Sequence, residues 1–215
     1  MKTNSPGAST VVLIHGVLMS GREMSLLRFR LRRGGFHVRQ FRYKSRRYTP
    51  AENAQALQQA LIDWQLEGPV HFVAHSLGGI VLTHFFDQHQ WCHPGHVVLL
   101  GVPLRGSSVA RHLSRSGWGR WLLGYSLVDG LLQQAPPWPG ARKTLMIAGT
   151  WGLGLGRVLS LGRSPGPSDG VVRLCETEDA AVTDRLVLPV NHTQLVISSR
   201  VARAIAKFLS PGPSA

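Results

Sequence analysis

Apolar residues recur along the chain with two spacings, one typical of buried strands and the other typical of helices. Runs that are apolar at nearly every position predict strands at 10–16, 36–43, 69–75, 96–103, 144–150, 170–174 and 185–190. Runs with helical spacing lie between them and predict helices at 20–33, at 51–65, from 77 onward and at 193–209. The chain therefore alternates between strands and helices over most of its length.

This alternation predicts the fold class. Strands that are apolar along their whole length are buried on both faces, and connections through helices make neighbouring strands parallel. We therefore expect an α/β protein with a minimal, predominantly parallel sheet and helices on both faces. A chain of 215 residues with 43% hydrophobic content suits one domain over 1–215. In such sheets, ligands bind outside the carboxyl ends of the strands.

One serine stands where a predicted strand meets a predicted helix. The segment VAHSLGG places Ser76 at that corner, with Ala74 two residues before it and Gly78 two residues after it. A serine hydroxyl is a weak nucleophile that needs a base beside it. A sharp strand-to-helix turn exposes its oxygen, and small neighbours let the two backbones approach closely. The pattern is G-x-S-x-G with alanine in the first position, and it predicts a nucleophile; a turn that only packs the helix on the strand is the alternative.

With these segments the sequence resembles the α/β-hydrolase family, in particular small bacterial lipases and esterases. The resemblance extends from Val11 to Leu209. It rests on five segments in the family's order: VVLIHGV, VAHSLGG, GVPLRGSSVA, PSDGVV and VNHTQLV. It implies the α/β-hydrolase fold and the chain order of nucleophile, acid and histidine. We expect no cofactor.

Position indicates the base and the acid. His192 follows the late strand 185–190 and opens the last helix, so it belongs at the carboxyl edge of the sheet. Asp169 lies in the turn-rich segment GPSDGVV, and the family's lipases carry their acid in a similar Asp-Gly setting. Such an acid orients the imidazole and stabilises its cation. Other acids close to the last strand remain as alternatives: Glu176, Glu178 and Asp179.

Two backbone amides are expected to stabilise the oxyanion of the tetrahedral intermediate. The geometry of the turn supplies Leu77, directly after the nucleophile. The resemblance implies Val17 as the second donor, with His15 and Gly16 shaping its loop. His75 adjoins the nucleophile, but neighbouring side chains of a strand point to opposite faces, so we assign it a structural role.

These residues predict a serine hydrolase that forms an acyl-enzyme. His192 takes the proton of Ser76, the serine attacks an acyl carbonyl, and water releases the acyl group. The expected substrate is a small-molecule or lipid ester. Thioester cleavage and acyl transfer use the same residues, and a basic membrane-surface module without chemistry is a further alternative. Related hydrolases that open epoxides or displace halide carry aspartate in place of this serine.

A long segment rich in tryptophan and glycine, 104–142, follows a predicted strand at its carboxyl end. It can form a lid or an acyl-binding wall over the site, or a packed subdomain. The glycine-rich stretch 151–168 leads into Asp169 and is interpreted as a partly apolar flap.

The formal net charge of +13 is unevenly distributed. Basic residues concentrate between Arg28 and Arg47, and no acidic residue occurs between Met24 and Ala51. Lys44, Arg46 and Arg47 follow a strand and therefore face the active-site edge, where they would attract an anionic membrane surface or substrate. The basic residues of helix 20–33 are interpreted as a solvated face. No nucleic-acid-binding motif is present, so nucleic acid is not an expected partner.

Targeting and metal signals are weak. The first ten residues do not resemble a secretory signal, and no run of eighteen apolar residues occurs, so we expect a cytoplasmic protein, in contact with a membrane only at its surface. Cys92 and Cys175 lie far apart and predict no disulfide framework. A group of possible metal ligands, His89, Cys92, His93 and His96, is interpreted as a polar helix end, and no metal is expected.

Overall fold

Six strands form one sheet, and every hydrogen-bonded pair of strands in it is parallel. The computed structural model of the protein describes residues 9–132, 135–152 and 166–210. The strands are β1 (Thr10–Ile14), β2 (His37–Phe41), β3 (Val70–His75), β4 (Val97–Leu100), β5 (Thr144–Gly149) and β6 (Asp184–Leu188), in the order β2-β1-β3-β4-β5-β6. The predicted α/β class with a parallel sheet is confirmed.

Helices connect the strands and cover both faces of the sheet. They are α1 (Ser25–Arg33), α2 (Pro50–Asp63), α3 (Leu77–Gln88), α4 (Ser108–Leu113), α5 (Gly117–Leu123), α6 (Gln194–Ile197) and α7 (Ser199–Leu209). Short 3₁₀ helices occupy Arg22–Met24, Gly124–Leu127 and Leu174–Thr177. Local sequence sets some of these ends: α2 begins with a capping box between Thr49 and Glu52, and Pro50 fits its first turn.

Each face of the sheet has its own core. Because successive side chains of a strand alternate between faces, Val12 and Ile14 of β1 pack with α2 and α3, whereas Val11 and Leu13 pack with α1 and α7. All four side chains are fully buried. The sheet is therefore buried on both sides, as the continuous apolar runs predicted.

Three predicted elements differ from those observed. The helix predicted at 20–33 is a 3₁₀ turn followed by α1, and the helix predicted at 193–209 is divided at Ser198, whose backbone is extended and whose hydroxyl accepts from the Arg200 amide. The strand predicted at 170–174 is wrong. The Asp169 carboxylate binds the amides of Val171 and Val172, which removes the donors that a strand ladder would need.

The segment 104–142 contains α4, α5 and a 3₁₀ turn. Its apolar side chains divide between the core and the surface. The buried ones, which join the core on the α2 and α3 side, are Ala110, Leu113, Leu123, Leu127, Leu131 and Trp138. Trp118, Trp121 and Tyr125 are more than half exposed, at 59%, 66% and 58%. The segment thus packs on the domain through one side and presents aromatic rings on the other.

Among the described residues, no helix combines the length and the apolar character that crossing a bilayer requires.

Candidate active site

Ser76 occupies a sharp corner between β3 and α3. Its backbone has φ 52° and ψ −122°, a region that residues with a side chain rarely adopt. Two hydrogen bonds hold this conformation: the Ser76 amide donates to the Leu100 carbonyl at 3.0 Å, and the Gly79 amide donates to the Ser76 carbonyl at 3.0 Å. The sheet and the first turn of the helix thus fix the serine in a strained geometry.

The small residues around Ser76 are required by close backbone approach. A Cβ atom at Gly78 would lie 2.6 Å from the carbonyl oxygens of both Ile14 and His15, too close for any side chain. A Cβ atom at Gly16 would lie 3.1 Å from the Ser76 Cβ. Ala74 is fully buried and pairs in register with Ile14. The loop after β1 therefore lies directly against the serine.

Asp169 and His192 are joined by two hydrogen bonds. The His192 Nδ1 lies 2.7 Å from the Asp169 Oδ2, and the His192 amide donates to the Asp169 carbonyl at 2.9 Å. The other carboxylate oxygen, Oδ1, accepts from the amides of Val171 at 2.9 Å and Val172 at 2.7 Å. A carboxylate at Nδ1 keeps the proton on that nitrogen, so Nε2 is the nitrogen that can accept one.

The acid and the base reach the edge of the sheet that carries Ser76. Gly149, the last residue of β5, lies against the Asp169 Cβ. Gly101, after β4, lies against both members of the pair: a Cβ atom there would be 3.0 Å from the Asp169 Oδ2 and 3.3 Å from the His192 Nδ1. His75, adjacent to Ser76, approaches the His192 carbonyl with its Nε2 at 3.2 Å. The three residues predicted from the sequence therefore lie at one end of the sheet.

The alternative acids have other partners. Glu176 accepts from the Ser108 amide at 2.8 Å and from the Arg173 Nε at 3.0 Å. Glu178 pairs with two arginines at 3.7 Å, and Asp179 accepts from a nearby backbone amide. Each of them stabilises the loop before β6.

Comparisons with known proteins agree on the architecture. Neither the family models nor the curated proteins searched gave a match. Among solved structures, the mature lipase BlEst2 of Bacillus licheniformis superposes with a TM-score of 0.77 at 18% identity, covering 98% of this chain and 95% of that one. The metagenomic carboxyl esterase MGS0156 superposes with a TM-score of 0.68 at 17% identity, covering 95% of this chain and 75% of the esterase. Phospholipase PlaB of Legionella pneumophila superposes with a TM-score of 0.68 at 17% identity. That match covers 94% of this chain, which spans only 59% of the length of PlaB.

The chain has the α/β-hydrolase fold. In other proteins of this fold, the strand-to-helix corner at this position is called the nucleophile elbow. The fold and the resemblance to bacterial lipases and esterases are thus confirmed, while the roles of the individual site residues stay predictions.

His15 is fixed as a neutral imidazole beneath the loop that follows β1. Its Nδ1 lies 2.9 Å from the Gly16 carbonyl, and its Nε2 accepts from the Tyr43 amide at 3.3 Å. The Tyr43 ring stacks on it at 4.3 Å, and the Tyr43 hydroxyl donates to the His15 carbonyl at 2.7 Å. Burial lowers the His15 pKa. Sequence reasoning did not identify Tyr43; its place at the end of a strand on the same edge was the available signal.

His75 contacts His192 more closely than its predicted structural role implied. The two imidazole rings lie 4.5 Å apart, and Nε2 of His75 approaches the His192 carbonyl. Complete burial, followed by the nearby charge of His192, lowers the pKa of His75 well below its ordinary value, so the ring is neutral and donates from Nε2. Its Nδ1 is buried and has no hydrogen-bond partner in the described part of the chain.

The two predicted oxyanion donors lie on either side of the elbow. Leu77 is the first residue of α3, where amides have no partner within the helix. Val17 follows Gly16, and within ranges 9–132, 135–152 and 166–210 its amide makes no hydrogen bond. A residue with positive φ, Leu18 at 61°, then turns the chain away. Both amides remain predicted donors.

The possible metal ligands near the end of α3 do not form a metal site. Within the described ranges, no three side chains of histidine, cysteine, aspartate or glutamate are grouped so that they could hold an ion. The His93 Nδ1 lies 3.1 Å from the Gly68 carbonyl oxygen, and the His93 ring stacks on the Trp91 ring. Cys92 and Cys175 are exposed and form no disulfide. The glycine-rich flap predicted at 151–168 lies mostly outside the described residues.

Proposed function

We propose that the protein is a carboxylic ester hydrolase that uses Ser76, His192 and Asp169 as a catalytic triad. The observation that carries this proposal is the 2.7 Å contact between His192 Nδ1 and Asp169 Oδ2 at the edge of the sheet that holds the strained Ser76. The solved structures of similar fold include proteins described as a lipase, a carboxyl esterase and a phospholipase, which supports ester chemistry.

The chemistry proceeds in two halves. His192 accepts the Ser76 proton on Nε2 while the serine oxygen attacks the acyl carbonyl, and the alcohol leaves with that proton. Water then attacks the acyl-enzyme by the same route and releases the carboxylic acid. The amides of Leu77 and Val17 stabilise the oxyanion in both halves, and losing one such donor typically lowers turnover about 100- to 1000-fold.

The surroundings of the site suit an apolar ester. The segment 104–142 follows the carboxyl end of β4, and its Trp121 carbonyl accepts from Arg46 beside that edge. It would supply either a lid or an acyl-binding wall. The loop after β1, residues 15–18, carries the proposed donor Val17 and is called the oxyanion loop here. Beside it, a cavity is lined by Leu18, Tyr43, Lys44, Arg46 and Arg47, and its basic residues would face an anionic surface or substrate. We propose a small-molecule or lipid ester as substrate, and a cytoplasmic protein that contacts a membrane only at its surface.

Active-site labelling with a fluorophosphonate probe tests the nucleophile. Wild type should be labelled and should hydrolyse p-nitrophenyl esters with a preferred chain length. Ser76→Ala should lose labelling and about 10⁴-fold or more of the turnover. Ser199→Ala removes an exposed hydroxyl at the start of α7 and should behave as wild type. Absence of labelling in folded wild type contradicts the proposal.

Product analysis separates the proposed hydrolysis from its close alternatives. With an ester substrate and added alcohol, a hydrolase releases the free acid, whereas an acyltransferase forms the new ester. Parallel turnover of matched oxygen and sulfur esters distinguishes an esterase from a thioesterase. If no acyl substrate turns over and Ser76→Ala leaves the cellular role unchanged, the protein is a binding module.

A further inference from the structure

A second cavity lies at the opposite end of the sheet from Ser76. It is a cleft of about 800 Å³, partly open to solvent, and is lined by the end of α3 and by the segments that lead into β4 and β5. Because these segments enter parallel strands, the cavity borders the amino edge of the sheet, whereas the candidate active site borders the carboxyl edge. Its size is within the range of about 300–1,000 Å³ that is typical of small-molecule sites.

Positive charge predominates in the wall of this cavity. Arg142 and Lys143 line it, and Asp87 is the single carboxylate among its lining residues. The Arg142 guanidinium donates to two backbone carbonyls, of Trp91 at 2.7 Å and of Gly95 at 3.3 Å. Within the described part of the chain, it forms no ion pair with a carboxylate. Arg142 is half-buried, and the groups that accept from its guanidinium are neutral carbonyls.

Three histidines share this wall with the two cations. His89, His93 and His96 also line the cavity, out of ten histidines in the chain. Burial, and then the charges of Lys143 and Arg142, lower the pKa of His96. An anion in the cavity would offset those two charges. The geometry and the electrostatics of the wall thus agree in favouring an anionic occupant.

Aromatic side chains form another part of the wall, which also contains polar, small and proline residues. Phe86 lies 5.4 Å beneath the Arg142 guanidinium, the rings of Trp91 and His93 stack at 4.6 Å, and Trp138 completes the wall. Flat apolar surfaces of this kind bind the body of an organic molecule and provide little for an inorganic ion.

We propose that this cavity binds an organic carboxylate with a compact apolar body. Arg142 and Lys143 hold the carboxylate, and Phe86, Trp91 and Trp138 contact the body. This inference goes beyond the proposed ester hydrolysis and does not depend on it, because it concerns the other edge of the sheet. Binding should strengthen as the pH falls into the range in which His96 gains a proton, because an anion beside Lys143 and Arg142 would offset the charges that disfavour the charged imidazole.

Site-resolved NMR of the full chain with 2-naphthoate tests this proposal. The expected dissociation constant is on the order of 1 mM or tighter, with shifts in the indole signals of Trp91 and Trp138 and in the ring signals of His96. Neutral 2-naphthalenemethanol should bind at least tenfold more weakly, and inorganic phosphate should not displace the naphthoate.

Variants identify the groups that hold the charge. Arg142→Gln should weaken naphthoate binding about tenfold or more, as expected for a lost hydrogen bond to a charged group. Lys143→Gln should also weaken naphthoate binding. Because Lys143 is exposed, this variant should fold normally, and it tests the role of the charge even if Arg142→Gln unfolds. Arg22→Gln removes a positive charge at the other edge and should change nothing.

Three outcomes would overturn the proposal. They are equal affinity for the carboxylate and the alcohol, unchanged affinity in both Arg142→Gln and Lys143→Gln, and shifts confined to His192 and the neighbours of Ser76. Because binding is measured without turnover, a protein that lacks esterase activity would still give a clear result.

Discussion

His192 is held by its backbone as well as by its ring. Its amide donates to the Asp169 carbonyl, its carbonyl accepts from the His75 imidazole, and its Nδ1 contacts the Asp169 carboxylate. These three contacts leave the ring little freedom to rotate away from the elbow. At the scale of single residues, the proposed catalysis therefore depends on Asp169 and on His75 as well as on the serine.

Asp169→Asn should lower kcat by about 10⁴-fold with a nearly intact fold, because an amide in place of the carboxylate favours the wrong imidazole tautomer and cannot stabilise the cation. Kinetics with a p-nitrophenyl ester measure the loss, and circular dichroism checks the fold. Asp184→Asn, at the amino end of β6, is the matched control and should retain full activity. A loss below tenfold would indicate that a different acid serves His192.

His75→Phe should lower kcat about tenfold or more while KM changes less than twofold, because the loss of its hydrogen bond lets His192 shift from its productive position. His75→Gln retains a donor near the Nε2 position and should recover part of the activity. A merely structural role would lower the melting temperature in both variants and leave the kcat of the folded protein unchanged.

At the scale of elements, the elbow depends on the close contact between α3 and the end of β1. Gly78 is the contact point, because any side chain there would meet two backbone carbonyls that cannot move separately from the sheet. Glycine at this position is thus a packing requirement, and the strained Ser76 next to it is stabilised by the same contact.

Gly78→Ala should destabilise the fold by about 1–3 kcal/mol, the usual cost of overpacking, and should lower activity in the fraction that folds. Gly117→Ala is the matched control: a Cβ at Gly117 meets open space, and the change should be neutral or stabilise by up to about 1 kcal/mol. Urea denaturation measures both. Equal effects at the two positions would exclude the proposed steric contact.

The sequence predicted elements well where local pattern decides the structure. Strands β1 and β3 and the turn at Ser76 follow from apolar runs and small residues. The choice of His192 follows from its place after a late strand, and that of Asp169 from its turn-rich Asp-Gly segment and the family resemblance. The predicted strand at 170–174 failed because a side chain of the turn, Asp169, competes for its amides. The contact of His75 with His192 also escaped prediction, since it joins distant segments whose spacing no local pattern records.

At the scale of the whole molecule, the net charge of +13 is spread over different surfaces with different surroundings. Lys44, Arg46 and Arg47 adjoin the oxyanion loop, and Arg46 lies 4.8 Å over the exposed ring of Trp121 while donating to the Trp121 carbonyl. Basic groups beside exposed tryptophan favour the interface of an anionic bilayer. In the part of the chain that the structure describes, the α1 arginines lie beside no exposed tryptophan, and Arg33 lies 5.8 Å over the ring of Phe29.

Replacing Lys44 and Arg47 together by glutamine should weaken binding to vesicles of anionic phospholipid. Two charges at about 1 kcal/mol each correspond to about 30-fold in partitioning at low salt. The matched control replaces Arg28 and Arg33 of α1 by glutamine and should weaken binding to the anionic vesicles much less. Sedimentation with anionic and with neutral vesicles measures both. Equal losses would mean that total charge matters and that no surface is preferred.

Buried histidines should make the fold sensitive to acid. Burial, the charge of His96 and the charge of Arg142 lower the pKa of His71 to about 4, and the pKa values of His15 and His75 are lowered as well. The unfolded chain then binds protons that the folded chain does not, so stability is complete above pH 6.5 and is lost as the pH falls toward 4.

Urea midpoints between pH 7 and pH 4.5 measure this loss. His71→Asn keeps an acceptor for the His96 amide without a titrating ring and should show a shallower decline. His112→Asn, at an exposed position on α4, should follow the wild-type curve. Parallel curves for all three proteins would exclude His71 as a source of the acid sensitivity.

The hydrogen bond from His75 to His192 joins residues 117 positions apart, so the site is closed by a very long loop of chain. The serine, its strained turn and the oxyanion loop come from the first three strands, which are neighbours in both sequence and sheet. The acid and base come from segments that follow β5 and β6. A growing chain can therefore build the turn at Ser76 early, but the proposed nucleophile gains its proposed acid and base only when β6 has joined the sheet. Under the proposed mechanism, an incomplete chain would not attack esters.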